Sequence, residues 1–179
     1  HGIGRRQRQM CIRDRNIRKY TVWVNVMDTI ETMIEQAEKR CRANGKRLTS
    51  KRKQVLTALL HADKALSVYE LIDYAKTHFG QTVQAMSAYR ILEFLEEEHL
   101  AHKLNASSKY VACAHIHHEH EHGVPQFLIC RQCNKTQEQT LDPSLITNLE
   151  SDAKQVGFKV LTPQLEIDCL CSECSQNSD

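Results

Sequence analysis

Two pairs of cysteines, Cys130-Arg131-Gln132-Cys133 and Cys171-Ser172-Glu173-Cys174, constrain this chain more than anything else in it. Two residues between thiols let both sulfurs of a pair face one point, and two such pairs supply the four soft ligands of a closed tetrahedral Zn²⁺ site. A site of that kind contributes folding free energy directly. It also calls for a reducing compartment, where the thiols stay unpaired with one another. The pairs are separated by 37 residues, against roughly 15–20 in a zinc-finger loop. A strand, a helix and a second strand fit between them, so zinc would clip together the two ends of an α/β unit. A single Cys-x-x-Cys leaves a redox dithiol open, whereas two at opposite ends of one unit favour a structural metal. Cys41 reads as a helix thiol, Cys11 has no partner pattern, and Cys169 is an extra thiol without an assigned role.

Charge divides the chain. Residues 1–26 carry seven Lys/Arg and one Asp, and from Met27 onward there are 17 basic and 21 acidic residues. The stretch Arg5 to Arg15 resembles a translated adapter scar, and Met27-Asp28-Thr29 reads as a start. Residues 1–26 are therefore set aside as a non-native or disordered leader, with a basic nucleic-acid arm as the rival reading. Trp23 falls in this leader and is not read as core. Residues 27–112 hold 13 basic and 11 acidic residues, and residues 113–179 hold 4 and 10. Lys39 to Lys53 contains eight Lys/Arg and no acid. The front half is thus the half suited to phosphate, unless the run is only a solvated helix face. No apolar run is long enough to span a bilayer.

The front half reads as four helices and a hairpin. Ile30, Met33, Ile34 and Ala37 form one helical stripe over 28–43, which Asn44-Gly45 stops. Thr49 is placed to cap a second helix whose Val55, Leu56, Leu59 and Leu60 face inward. Ser67-Val68-Tyr69-Glu70 is a capping box opening a third, with Leu71, Ile72 and Ala75 buried. A fourth runs from about Ala85 to Glu98, with Ala88, Leu92 and Leu95 inward and Ile91 at the edge. Arg90 points away from that stripe, in the first turn of the helix, where a recognition helix contacts base edges. Two short strands, Leu100–Leu104 and Lys109–Cys113, then make a wing around Asn105-Ala106-Ser107-Ser108. A small helical domain with an incidental Arg is the alternative; the wing and the basic approach favour DNA binding.

The back half carries the metal chemistry. His115 to His122 is a His-rich loop with interleaved acids, poor core material and a good ligand source for a borderline metal. Phe127-Leu128-Ile129 is a buried strand ending in the first Cys pair, and Lys135–Thr140 returns. Asp142-Pro143 caps a helix with a Leu145, Ile146, Leu149, Ala153, Val156 stripe, stopped by Gly157. Residues 158–169 alternate as a last strand. No nucleophile–base arrangement, phosphate loop or catalytic acid pair is evident, so the chain does not read as an enzyme or as a binder of a small-molecule substrate.

Taken together, these motifs resemble the ferric uptake regulator family, and within it the zinc uptake regulator branch, over about residues 28–175. The resemblance rests on Arg47-Leu48-Thr49-x-x-Arg52, Ser67-x-Tyr69, Ala88-Tyr89-Arg90, Ala101-His102-Lys103, Tyr110-Val111-Ala112-Cys113 and the two Cys pairs. Ser87-Ala88 stands where the family usually has Thr-Val. The resemblance implies an α+β chain: a winged helix-turn-helix DNA-binding domain over 27–108, a hinge over 109–114, and an α/β dimerisation domain over 115–179 stapled by a structural Cys₄ zinc site. A homodimer would read palindromic double-stranded operator DNA. Tyr69 and Arg90 would touch bases, Tyr89 would lie beside them, and Arg52, Arg47 and Lys46 would lie on or near phosphates.

The resemblance also implies a second, regulatory zinc per chain at the hinge. His102, Cys113 and Glu138 would hold it together with a loop His. The branch pattern puts that His seven residues before the first structural Cys, where this chain has Gly123; His122 is one earlier, and His117, His118 or His120 are substitutes. Cys113, otherwise a small buried hydrophobe, is the ligand that favours Zn²⁺ over Fe²⁺. Zinc would fix the orientation of the DNA-binding domains and repress zinc-uptake genes in a bacterial cytoplasm. An iron-, nickel- or peroxide-responsive member of the family, or a thiol redox protein, stays open at this point.

Overall fold

The computed structural model describes residues 17–116, 124–161 and 164–176, with side chains from Thr29 onward. Helix α1 spans Ile17–Ala43, α2 Ser50–Ala62, α3 Val68–Phe79 and α4 Ala85–Glu97; strands β1 (Ala101–Leu104) and β2 (Lys109–Ala112) follow. The back half contributes β3 (Pro125–Cys130), β4 (Thr136–Thr140), α5 (Pro143–Gln155), β5 (Leu165–Cys169) and α6 (Ser172–Gln176). The 26/27 boundary falls inside α1, which starts ten residues earlier. Trp23 lies outside the described side chains.

The front half is an α+β unit built around α2, which packs on α1, α3, α4 and β2. Its core is aliphatic: Leu56, Leu59, Leu71, Leu92, Leu95 and Leu100 are fully buried, and Cys41 sits among them as a packed thiol. Ile30 and Ala37 of the α1 stripe are buried, while Met33 and Ile34 flank the cluster. The capping box forms as the sequence predicts: Glu70 N–H donates to Ser67 Oγ, and Ser67 N–H donates to Glu70 Oε2 at 2.6 Å. Gly80 closes α3 with φ of 64°, the left-handed conformation a glycine adopts without penalty. Thr49 has the extended backbone of a cap and starts α2, but its side chain makes no capping bond.

Strands β1 and β2 pair antiparallel, His102 opposite Val111 and Leu104 opposite Lys109, and form the expected wing. β2 takes four of the six residues that the sequence assigns to the hinge. A single bridge between Leu66 and Tyr110 ties the wing to the α2–α3 connection.

The back half is a three-stranded sheet in the order β4-β3-β5. β4 runs antiparallel to β3 and β5 runs parallel to it, which requires α5 as the crossover. Asp142 caps α5 by accepting from Ser144 N–H at 2.8 Å, with Pro143 in the first turn. Two expectations differ. The last strand is confined to Leu165–Cys169 rather than 158–169. The apolar stripe of α5 is uncovered in the protomer: Leu145, Leu149 and Val156 are exposed, as are Phe158 and Leu161 beyond it.

A second, smaller cluster joins the halves. Phe127 of β3 is fully buried against Ala65, Leu104 and Val111 from the front half, with Ile129 beside it. Among the described residues no helix is long and apolar enough to cross a membrane.

Candidate metal centres and nucleic-acid interface

The first centre is assembled by the ends of two neighbouring strands. β3 ends at Cys130, and a tight turn follows in which Asn134 N–H donates to Cys130 O and Cys130 N–H to Lys135 O. Asn134 has φ of 60°, a left-handed conformation that Asn tolerates better than most residues. That turn carries Cys133. The parallel register sets Cys169 opposite Cys130, so the next residues deliver Cys171 and, through α6, Cys174. The sulfurs of Cys130, Cys133, Cys171 and Cys174 all lie within 4.8 Å of one another. Cys133 and Cys171 are 3.7 Å apart, matching the edge of about 3.8 Å of a tetrahedron with Zn–S bonds of about 2.3 Å.

The electrostatics of the four sulfurs point the same way. Amide donors of Cys171 and Cys133 bring the Cys130 thiol down to about 6, while the neighbouring thiols, Cys171 first, push Cys174 up to about 12. Four thiolates this close require a cation to coexist. Cys169 stands apart: its Sγ faces Ile129 O at 3.5 Å and belongs to no ligand cluster among the described residues. None of the seven described cysteines is in a disulfide.

The second centre takes one residue from each of three places. His102 comes from β1, Cys113 from just past β2, where its N–H donates to Leu100 O, and Glu138 from β4. Their ligand atoms also lie within 4.8 Å of one another. The Cys113 side chain is fully buried, and the Glu138 side chain is 6% exposed. Ala114 N–H donates to Glu138 Oε2 at 2.7 Å and aims the carboxylate.

His102 Nε2 lies 3.1 Å from Glu138 Oε1 yet makes no aligned hydrogen bond, and it is buried. Such an atom is costly to leave unmatched. It fits a group whose partner is a cation at the common focus of nitrogen, sulfur and oxygen, a borderline donor set that suits Zn²⁺. Among these side chains alone, burial opposes charge on His102, but Cys113 and Glu138 prevail and push it up to about 9. Burial likewise opposes charge on Glu138, but His102 foremost draws it down to about 2.

His122, and its substitutes His117, His118 and His120, lie outside the described residues. His115 is a neighbour of this cluster that sequence reasoning did not single out. Its Nδ1 is 3.2 Å from Glu138 Oε1, and its N–H donates to Cys113 Sγ at 3.4 Å. Its position two residues after Cys113 was the available signal, obscured by the longer His run that follows.

On the front half, Tyr69 is 65% exposed in the first turn of α3. Met86, Tyr89 and Arg90 are exposed on α4 at spacings that share one helix face. Arg47 is exposed as well. Lys46 and Arg52 are engaged within the fold. Lys46 Nζ pairs with Glu98 at 2.6 Å and Glu97 at 3.4 Å. The Arg52 guanidinium stacks on the Phe94 ring at 3.4 Å and donates to Arg47 O.

The model of the ferric uptake regulator family matches residues 43–168. The zinc uptake regulation protein of Escherichia coli (strain K12) is 30% identical over 146 residues, covering 82% of this chain and 83% of that protein. A solved structure of a zinc uptake regulator complexed with zinc and DNA has a TM-score of 0.73 at 28% identity, covering 83% of this chain and 97% of that one. The crystal structure of holo XcZur has a TM-score of 0.67 at 32% identity, covering 81% of this chain and 98% of that one.

Proposed function

This chain belongs to the ferric uptake regulator family, and on that premise we propose that it is a zinc-responsive transcriptional repressor of zinc-uptake genes. It acts as a homodimer that binds palindromic operator DNA when zinc fills the centre formed by His102, Cys113, Glu138 and a histidine of the 115–122 loop. The Cys₄ centre holds a second, structural zinc, giving two per chain. The observation that carries this reading is that the His102 centre draws ligands from both halves, His102 from the wing and Glu138 from the back sheet. A cation there favours one relative orientation of the two. The buried thiol of Cys113 supports zinc over iron. The relatives support it too, being zinc uptake regulators of similar length, one of them solved with zinc and DNA.

Residues 27–108 serve as the DNA-binding domain and 115–179 as the dimerisation domain, with the hinge between. Tyr69, Tyr89 and Arg90 meet base edges, and Arg47 lies on the phosphates; Lys46 and Arg52 shape the approach through Glu98 and Phe94. The exposed stripe of α5 supports a symmetric dimer contact. The Cys₄ cluster, whose thiols must stay unpaired with one another to hold a metal, supports a cytoplasmic setting. When zinc binds, it acts as a Lewis-acid crosslink between wing and sheet. His102 is positioned for it by β1, and Glu138 by the Ala114 amide.

The test begins with a random duplex library enriched on zinc-loaded protein. Binding of the selected duplex is then titrated against buffered free zinc for wild type and Cys113→Ser. Wild type should bind steeply with zinc, and the variant should need far more. Equal, zinc-independent binding by both refutes the reading, and one bound zinc per wild-type chain by elemental analysis refutes the two-site part of it.

A further inference from the structure

The wing turn is held at its tip by a residue that belongs to neither metal centre. Glu166 stands on β5 opposite Phe127. Its Oε1 accepts the N–H of Asn105 at 2.6 Å, and its Oε2 accepts the N–H of Ala106 at 3.1 Å. Two successive turn amides form a concave donor pair suited to an anion, and bonds to an ionised acceptor are the stronger kind. Gln164 completes the contact: its Nε2 donates to Lys103 O at 3.0 Å and to Glu166 Oε1 at 2.7 Å. It pins the end of β1 and orients the carboxylate at once.

The contact crosses the boundary between the halves. On its other side the hairpin is braced within the front half, where Lys109 pairs with Glu70 at 3.2 Å. Among the described residues the halves are also linked by the apolar cluster around Phe127, by the second metal centre, and by the connection before α3, where Ala65 N–H donates to Asn134 O at 3.3 Å beside a Lys64–Lys135 bridge. Apolar packing is non-directional. The Ala65 bond acts at the base of the wing, whereas the Glu166 bonds are directional and act at its tip, where they bear most on its tilt. None of Glu166's hydrogen bonds is to a member of the centre, so any influence on zinc must pass through wing docking.

We propose that Glu166 is a positioning residue, a metal-independent clamp on the wing turn that sets how much zinc the second centre needs. The inference rests on the sensing role assigned above. Zinc meets its full ligand set only in the docked arrangement, so its apparent affinity scales with the docked fraction. The clamp raises that fraction before any metal arrives. By reciprocity, zinc tightens the clamp as much as the clamp tightens zinc. Losing two charge-assisted bonds at an exposed site, where water takes back most of their strength, weakens zinc at the second centre by about five- to tenfold, with the Cys₄ zinc unaffected.

The experiment uses the full chain as wild type, Glu166→Ala, Glu166→Gln and Gln164→Ala. Exchange of the Asn105 and Ala106 amides is followed by NMR, and the second zinc is titrated against a fluorescent chelator of known affinity. The amides should exchange slowly in wild type and faster in Glu166→Ala. Zinc at the second centre should weaken about five- to tenfold in that variant, and by less in Glu166→Gln, which keeps one acceptor. Gln164→Ala, whose loss leaves the carboxylate in place, should shift both readouts in the same direction by less, and it decides the matter if Glu166→Ala does not fold. Unchanged amide exchange overturns the clamp. Faster exchange with unchanged zinc affinity overturns its role in setting the zinc requirement. A wild type that takes up only one zinc defeats the sensing role before any variant is made, and the exchange measurement still judges the clamp.

Discussion

Phe127→Ala separates docking of the two halves from folding of either. Phe127 is fully buried, but its neighbours Ala65, Leu104 and Val111 all come from the front half, and its ring centroid is 5.3 Å from that of His102. Truncating a buried Phe costs about 3–5 kcal/mol. The low end applies here, because the cluster is small and sits between two units that can close over the gap. If about 3 kcal/mol falls on docking, zinc at the His102 centre weakens by about a hundredfold, one decade per roughly 1.4 kcal/mol. The loss is capped at the docking free energy itself, since an undocked wing has nothing more to lose. The helical core of Leu56, Leu59, Leu71, Leu92 and Leu95 makes no use of Phe127 and should melt where it does in wild type. Chelator competition measures the zinc, and circular dichroism at 222 nm follows the helices. A variant whose helices melt much earlier while zinc affinity is unchanged refutes the assignment of Phe127 to the docking surface.

Three further outcomes follow from the geometry. Lys46→Ala leaves the buried Glu98 carboxylate with Asn44 as its remaining close donor at 2.9 Å, and should lower stability at pH 7 in urea titrations. Burial works to raise Glu98, but Lys46 and Asn44 hold it below the ordinary carboxylate value. The stabilisation is therefore present above the unfolded pKa of about 4.3 and lost as pH falls through the lower folded value, so wild type and variant should converge under acid conditions. Arg90→Ala, at an exposed position of α4, should leave the melting temperature unchanged and weaken the selected duplex by about 1–3 kcal/mol in fluorescence anisotropy. Leu149→Asp, on the uncovered face of α5, should convert the dimer to a folded monomer in sedimentation velocity, with the Cys₄ zinc retained.

What the sequence reveals depends on how far apart in the chain the interacting groups are. The capping box at Ser67, the wing turn at 105–108 and the Cys pairs are local patterns, and all form as read. The α5 stripe was equally legible as apolar, but periodicity does not say what covers a face, and the protomer leaves it exposed. Lys46 and Arg52 belong to a basic run that reads as a phosphate track. Their partners Glu98 and Phe94 lie on another helix, and nothing local announces them. Glu138 is invisible to spacing, and only the family resemblance points to it. Glu166 is harder still, because its partners are backbone amides, which carry no residue signature.

The two metal centres differ in what their binding free energy accomplishes. All four thiols of the first belong to one sheet and its flanking turns, so a cation there ties β3 to β5 and its binding is folding free energy. The second centre spans wing and sheet, so part of its binding free energy goes into docking. On the proposed function its affinity would accordingly be adjustable from a distance, by the Phe127 packing, by the Glu166 clamp and by DNA held in the docked arrangement. A closed Cys₄ site has no such handle. On the proposed function, sensing therefore falls to the second centre and not to the motif most visible in the sequence. A substitution that touches no ligand, such as Glu166→Ala, should therefore move the zinc response of the second centre and leave the first unchanged.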